Sequence, residues 1–219
     1  MTSSTTFSAS ATSSVARRAS SSRWLQRQQS DVFVKQRDQQ GYRSRAAYKL
    51  HELASKDQLI RPGAAVLDLG ASPGGWTQVA VELAGPRGRV IALDILSMEA
   101  IAGASFILGD CRDPAVRAQV VAAAGGKLDL VMSDMAPNIT GLKDVDEAGM
   151  VELAEITLEL AAELLRPGGG LLIKLFQFAD TERVVKRMKS SFAQVSRRKP
   201  AASRAQSREF YVVAKQYGI

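Results

Sequence analysis

The 219-residue sequence predicts an α/β fold of Rossmann-like type, a mainly parallel seven-stranded sheet with helices on both faces. Three observations point there. From residue 42 onward, apolar runs of five to seven residues alternate with longer segments of helical spacing. The first run leads into a glycine-rich turn, DLGASPGGW (68–76), as strands do before a ligand-binding helix. Acidic residues recur where successive strands end, at Asp68, Asp94, Asp110 and Asp134.

YRSRAAYKLHELASK (42–56) has helical spacing, with Ala46, Leu50 and Leu53 on one side, and Arg61-Pro62-Gly63 breaks the chain after it. AAVLDLG (64–70) is the first strand, followed by a helix through Thr77–Leu83. RVIALD (89–94) and SFILGD (105–110) are the next strands, and a helix over 114–124 precedes LDLVMSD (128–134). The longest helix covers 147–166 and is ended by Pro167 and the glycines at 168–170. LLIKLFQ (171–177) is the fifth strand and RVVKRMKSS (183–191) a helix; FAQVS (192–196) and EFYVVAK (209–215) complete the sheet. Right-handed crossovers make such an alternation mainly parallel.

Residues 1–22 are mostly Ser, Thr and Ala and are expected to form a disordered tail. Their composition also suits an organelle transit peptide, while the lack of an apolar stretch argues against a secretory signal. Residues 23–219 then form one domain, with a basic helical segment over 23–60. No apolar run approaches the ~20 residues of a membrane span. A lone cysteine, Cys111, excludes an internal disulfide and a thiolate zinc site, and the lone His51 is most simply a surface residue.

Charge is strongly segregated within a net +7. Residues 1–50 carry nine Lys and Arg against two Asp; residues 183–208 carry nine Lys and Arg and no acid; residues 51–182 are net −9. Two basic flanks around an acidic centre suggest a polyanion held at two edges. The expected contacts are Arg23, Arg27, Arg43 and Arg45 in one flank, and Arg197, Arg198, Lys199, Arg204 and Arg208 in the other.

In open parallel sheets ligands bind beyond the carboxyl ends of the strands. Gly70, Gly74 and Gly75 let main chain approach a ligand closely, and Asp94, ending the second strand, is placed to accept two ribose hydroxyls. Pro73 inside the turn departs from the G-x-G-x-x-G fingerprint of dinucleotide enzymes. The loop together with Asp94 and Asp110 points to a nucleoside, most simply S-adenosylmethionine. Taken singly, each aspartate could be a cap or turn former, and Trp76 suits a core position or a pocket wall equally.

Lys174 lies inside GGLLIKLFQF (169–178), a run with the character of a buried strand. A buried ammonium needs a partner or loses its proton. Asp134 ends the neighbouring strand, Lys49 sits on the first helix and Glu209 opens the last strand. Two lysines with two carboxylates make either a catalytic cluster or a charge-balanced structural network.

RSRAAYKL, VLDLGASPGGWTQVA, LDLVMSDMAPNITG, GGLLIKLFQ and KPAASRAQSREFYVVA together resemble the FtsJ-type ribose 2′-O-methyltransferases, over roughly residues 20–216. Within that family the chain is most similar to bacterial members that methylate a uridine ribose of large-subunit (23S) ribosomal RNA. The resemblance implies an S-adenosylmethionine-dependent methyltransferase fold and a Lys-Asp-Lys-Glu tetrad at Lys49, Asp134, Lys174 and Glu209. It implies cofactor contacts at Gly74, Trp76, Asp94, Asp110 and Asp134, to which the loop residues Asp68 and Gly70 add themselves by position. It also implies a cytoplasmic, monomeric enzyme that needs no metal, with ribosomal RNA as partner. FQFADTERVV (176–185) is shorter than the family's turn, and the N-terminal extension is longer.

In this scheme Lys174 is the general base of an in-line transfer. Burial and Lys49 favour its neutral amine, while Asp134 and Glu209 favour the cation and orient it. Methylation of transfer RNA or an mRNA cap would use the same tetrad. An inactive RNA-binding assembly factor would not need it. The stretch DMAP (134–137) is not the Asn/Asp-Pro-Pro-aromatic motif of amine methyltransferases.

Overall fold

Every residue of strand β1 (Ala65–Leu69) is buried, which requires cover on both faces of the sheet. The structure, a computed structural model, describes residues 40–204 and 206–218. In the unit that begins at Tyr42, α1 (Ala46–Asp57) precedes β1, and α2 (Gly75–Ala84) follows it. Then come β2 (Arg89–Asp94), β3 (Ala104–Leu108), α3 (Pro114–Ala124), β4 (Leu128–Ser133) and α4 (Lys143–Leu164). The chain ends with β5 (Leu165–Phe176), α5 (Thr181–Ser191), β6 (Phe192–Arg198) and β7 (Glu209–Tyr217).

The seven strands run in the order β3-β2-β1-β4-β5-β7-β6. The first five are parallel, and β7 is antiparallel to both β5 and β6. One face, with Leu67, Leu69, Ile91, Val131, Ile173 and Leu175, packs against Val116, Met150, Leu160 and Val184 of α3, α4 and α5. The other, with Val66, Leu130, Met132, Leu172 and Tyr211, meets Ala47, Leu50 and Leu53 of α1 and Trp76 and Val79 of α2. Burying each of the larger side chains contributes ~1.5–3 kcal/mol.

Two boundaries differ from expectation for local reasons. Helix α4 begins at Lys143, not Glu147, with Asp144 and Asp146 in its first turn, where acids suit the helix dipole. It ends at Leu164, because Arg166 precedes Pro167 and is thereby pushed out of helical backbone. Leu165 is already extended (φ −67°, ψ 141°), so β5 starts six residues before the predicted Leu171. The expected tail over 1–22 and the RNA-contact candidates Arg23 and Arg27 lie outside the described residues. No helix among the described residues is long and apolar enough to cross a membrane.

Inserting β7 antiparallel beside β5 is what assembles the site. It places Glu209 opposite Phe176 and Tyr211 opposite Lys174, at the carboxyl end of β5.

Candidate active site

Strand alternation puts Leu172 and Lys174 on the face covered by α1 and α2, and the same period on β7 puts Glu209 and Tyr211 there. Asp134 follows the last residue of β4 and Lys49 projects from α1. The four predicted tetrad residues therefore converge. Lys174 is 9% exposed; its Nζ donates to the carbonyl of Asp134 and lies 3.2 Å from Asp134 Oδ1. Lys49 Nζ donates to Glu209 Oε1 at 2.6 Å.

A fifth residue joins the two pairs. Tyr211, fully buried, accepts from Lys49 Nζ at 3.1 Å and donates its hydroxyl to Asp134 Oδ1 at 2.9 Å. Its ring packs 5.8 Å from that of Trp76, centroid to centroid. The result is one chain of contacts, Glu209–Lys49–Tyr211–Asp134–Lys174. Tyr211 escaped sequence reading, though its place two residues after Glu209 on one strand was a usable signal.

Electrostatics set the state of two links, Tyr211 and Glu209. Burial, together with the charges of Asp134 and Glu209, pushes the Tyr211 phenol far above its ordinary range, so it stays protonated and donates. Burial alone would raise Glu209, but the hydrogen bond and charge of Lys49 outweigh it and hold the carboxylate below its usual value.

Beside this network a cleft of about 290 Å³ crosses the carboxyl ends of four strands. Its lining includes Gly70, Asp94, Asp110, Met135 and Asp134, with Ile95, Leu96 and Cys111 as apolar walls. Asp94 accepts the Ser72 N–H on Oδ2 and the Leu96 N–H on Oδ1, both at 2.8 Å, which fixes the carboxylate and leaves lone pairs for a diol. Asp110 is gripped by Arg112 through Nε at 3.0 Å and Nη2 at 2.6 Å. That pairing, foremost its side-chain hydrogen bond, holds Asp110 below the usual carboxylate range.

Three residues expected at the cofactor do not line this cleft. Asp68 is fully buried beneath the loop, where its Oδ2 accepts from Thr77 Oγ1 at 2.6 Å. Trp76 is buried and its indole N–H donates to the carbonyl of Ala46 at 2.9 Å, tying α2 to α1. Gly74 caps α2 at φ +109°; a Cβ there would meet Ile101 at 2.6 Å and Arg43 at 3.2 Å.

The basic flanks also sort themselves. Arg43 is a clamp, its guanidinium donating to the carbonyls of Glu99 (2.6 Å), Ala100 (2.9 Å) and Pro73 (3.4 Å). Arg198 forms a two-pronged pair with buried Asp57, and Arg197 pairs with Glu182 over the ring of Phe210. Arg45 donates to Ala202 and stays close enough to Arg204 and Glu209 to feel both charges; burial first, then Arg204, lowers its pKa. Lys199 donates to the Ser207 carbonyl. Arg204 and Arg208 are exposed and form no ion pair among the described residues. His51 is half-buried between Tyr42 (2.6 Å) and Glu82 (3.7 Å), not simply on the surface.

A cleft lined by strand-end aspartates, with a lysine paired to one of them, Asp134, is a layout suited to transferring a group to a weakly acidic acceptor. The FtsJ-like methyltransferase family model matches residues 42–217, so the chain belongs to the FtsJ-like methyltransferases. It is 48% identical over 206 residues to the ribosomal RNA large subunit methyltransferase E of Marinobacter nauticus, covering 94% of this chain and 100% of that one. The protein of the same description from Alkalilimnicola ehrlichii is 49% identical over 204 residues, covering 93% and 98%. Among solved structures, a Plasmodium falciparum ribosomal RNA methyltransferase superposes with a TM-score of 0.71 at 28% identity, covering 80% of this chain and 98% of that one.

Proposed function

We propose that the chain transfers the methyl group of S-adenosylmethionine to the 2′-hydroxyl of a uridine in large-subunit ribosomal RNA. The observation that carries the chemistry is Lys174 Nζ held by Asp134, a residue that itself lines the cleft. Large-subunit ribosomal RNA as substrate rests on what the relatives act on by name, and the uridine 2′-hydroxyl on the sequence's resemblance to the ribose 2′-O-methyltransferases.

The cleft suits the cofactor by its donor set. Asp94 would hold the ribose diol, Asp110 and the walls of Ile95 and Leu96 the purine, and the loop at Gly70 and Ser72 the amino-acid part. When bound, S-adenosylmethionine supplies a methyl group already activated on a sulfonium. Lys174 would take the proton of the ribose hydroxyl as that oxygen attacks the activated methyl group, the sulfur leaving as a neutral thioether. Asp134 fixes the direction of the amine, while Lys49, locked to Glu209, holds Tyr211 against Asp134. No metal enters this scheme. The enzyme is taken to act as a cytoplasmic monomer.

Mapping 2′-O-methyl groups in RNA from cells with and without the protein tests the assignment. Loss of one methyl from a large-subunit uridine is expected; loss confined to transfer RNA or caps would overturn the substrate.

A further inference from the structure

The cleft crosses the sheet in a fixed sequence: Asp110 beyond β3, Asp94 ending β2, Gly70 and Ser72 beyond β1, and Asp134 beyond β4. A nucleoside held at the β3–β2 side lays the rest of the cofactor across the end of β1. Asp68 lies under that point, one residue from the strand's end and fully buried. Among the described residues its Oδ2 has a partner, the Thr77 hydroxyl on α2, and its buried Oδ1 has none. An ionised carboxylate in that setting is costly.

The charged groups around Asp68 make ionisation harder. From β2 and β4 come Asp94 and Asp134, both carboxylates. The cations of the elements packed nearby are engaged elsewhere: Arg43 with the carbonyls of Pro73, Glu99 and Ala100, Arg45 with Ala202, Lys49 with Glu209 and Lys174 with Asp134. Tyr211 stays a neutral donor to Asp134. The missing positive charge is what S-adenosylmethionine brings, its ammonium and sulfonium together exceeding its one carboxylate.

We propose that Asp68 senses the cofactor's charge, carrying a proton in the free enzyme and releasing it to solvent when the net-cationic ammonium, sulfonium and carboxylate end of S-adenosylmethionine lies over β1. This rests on the S-adenosylmethionine reading above. It assigns Asp68 a positioning role exerted through space rather than by contact. It also separates substrate from product, since the sulfur left after methyl transfer is neutral and S-adenosylhomocysteine has lost one of the two positive charges. Burial, opposed by the Thr77 hydrogen bond and reinforced by Asp134 and Asp94, lifts the Asp68 carboxyl to about 7, so the proton is present to be released near neutrality.

Calorimetric titration of S-adenosylmethionine into the full chain, in buffers of differing ionisation enthalpy, counts the protons. At pH 7 the wild type is expected to release about half a proton per cofactor, falling towards zero by pH 9. Asp68→Asn, which mimics the protonated side chain, should abolish the release, while Lys174→Met should keep it. S-adenosylhomocysteine should release less, and its affinity relative to S-adenosylmethionine should rise several-fold in Asp68→Asn at pH 8. Carboxyl-carbon NMR of the ligand-free chain should show one aspartate titrating near 7 that is missing from Asp68→Asn. An unchanged proton count in folded Asp68→Asn, or its loss in Lys174→Met, overturns the proposal alone. No binding of S-adenosylmethionine to the wild type overturns the cofactor reading and this one with it.

Discussion

Tyr211 stands opposite Lys174 in the antiparallel register of β5 and β7, and its hydroxyl donates at 2.9 Å to the same Asp134 oxygen that lies 3.2 Å from Lys174 Nζ. Asp134 Oδ1 is thus held from two sides. Tyr211→Phe keeps the ring against Trp76 but releases Asp134 and deprives Lys49 of one acceptor. The loss of one such bond is worth ~1 kcal/mol or somewhat more. Methyl transfer should slow about tenfold, the equivalent of ~1.4 kcal/mol, with cofactor affinity unchanged. Single-turnover kinetics beside calorimetry would show this; an unaltered rate would make Tyr211 a packing residue only.

Lys174→Ala should remove methyl transfer almost completely, since a positioned base contributes ~10²–10⁴ in rate. Cofactor affinity should stay within a few-fold, because Asp94 and Asp110 are untouched. Turnover near wild type in this variant would return the Lys–carboxylate network to a purely structural role.

The sequence showed what depends on local period. Lys174 within an apolar run, and acids at strand ends, are visible because strands alternate and parallel sheets bind ligands at one edge. What it could not show are pairings made by distant segments. Arg198 is an RNA-contact candidate in isolation and a structural ion pair once β6 brings it to Asp57 of α1, 141 positions away. Arg43 likewise becomes a clamp only when the loop after β2 delivers the carbonyls of Glu99 and Ala100. Asp68 looks like any strand-end acid until burial removes it from the cleft wall.

Asp94→Ala should weaken S-adenosylmethionine binding by about 1.5–3 kcal/mol, the scale of hydrogen bonds to a charged group. The structure adds a second route to the same loss, because the Ser72 and Leu96 N–H groups also lose their acceptor and the loop they order loosens. RNA affinity should not change. Calorimetry showing wild-type cofactor affinity in a folded variant would remove Asp94 from the ribose site.

Asp68 should shape the stability of the ligand-free protein. Its folded value, about 7, lies above the ~3.9 of an unfolded aspartate, so the folded chain binds more protons between those limits. Its contribution is therefore fully present below about pH 4 and is lost as pH rises towards 7, at up to ~1.4 kcal/mol per unit. Asp68→Asn removes that slope. Urea unfolding should show the variant gaining on the wild type from pH 4 to 7, with a constant difference above. A difference independent of pH would mean that Asp68 is ionised throughout.

The basic residues should divide into two groups by what their replacement affects. Neutralising all of Arg23, Arg27, Arg43 and Arg45 would mix the effects, because Arg43 spends its guanidinium on three carbonyls around the first loop and packs against Gly74. Arg43→Ala should therefore weaken cofactor binding several-fold and leave the salt dependence of RNA binding alone. Arg204 and Arg208 differ: both are exposed, with no ion pair among the described residues, and Arg204 lies near enough to Arg45 to lower its pKa. Guanidiniums close enough to repel each other favour a shared anion, and RNA supplies phosphate. Replacing both Arg204 and Arg208 with Ala should weaken RNA binding and reduce the slope of log affinity against log salt by ~0.7 for each phosphate no longer neutralised, the value for single strands. Cofactor affinity should be unaffected. RNA titrations at several salt concentrations, run in parallel on the two variants, decide it: a slope equal to wild type in the double variant would take these arginines out of the RNA interface, and a reduced slope in Arg43→Ala would put that residue back into it.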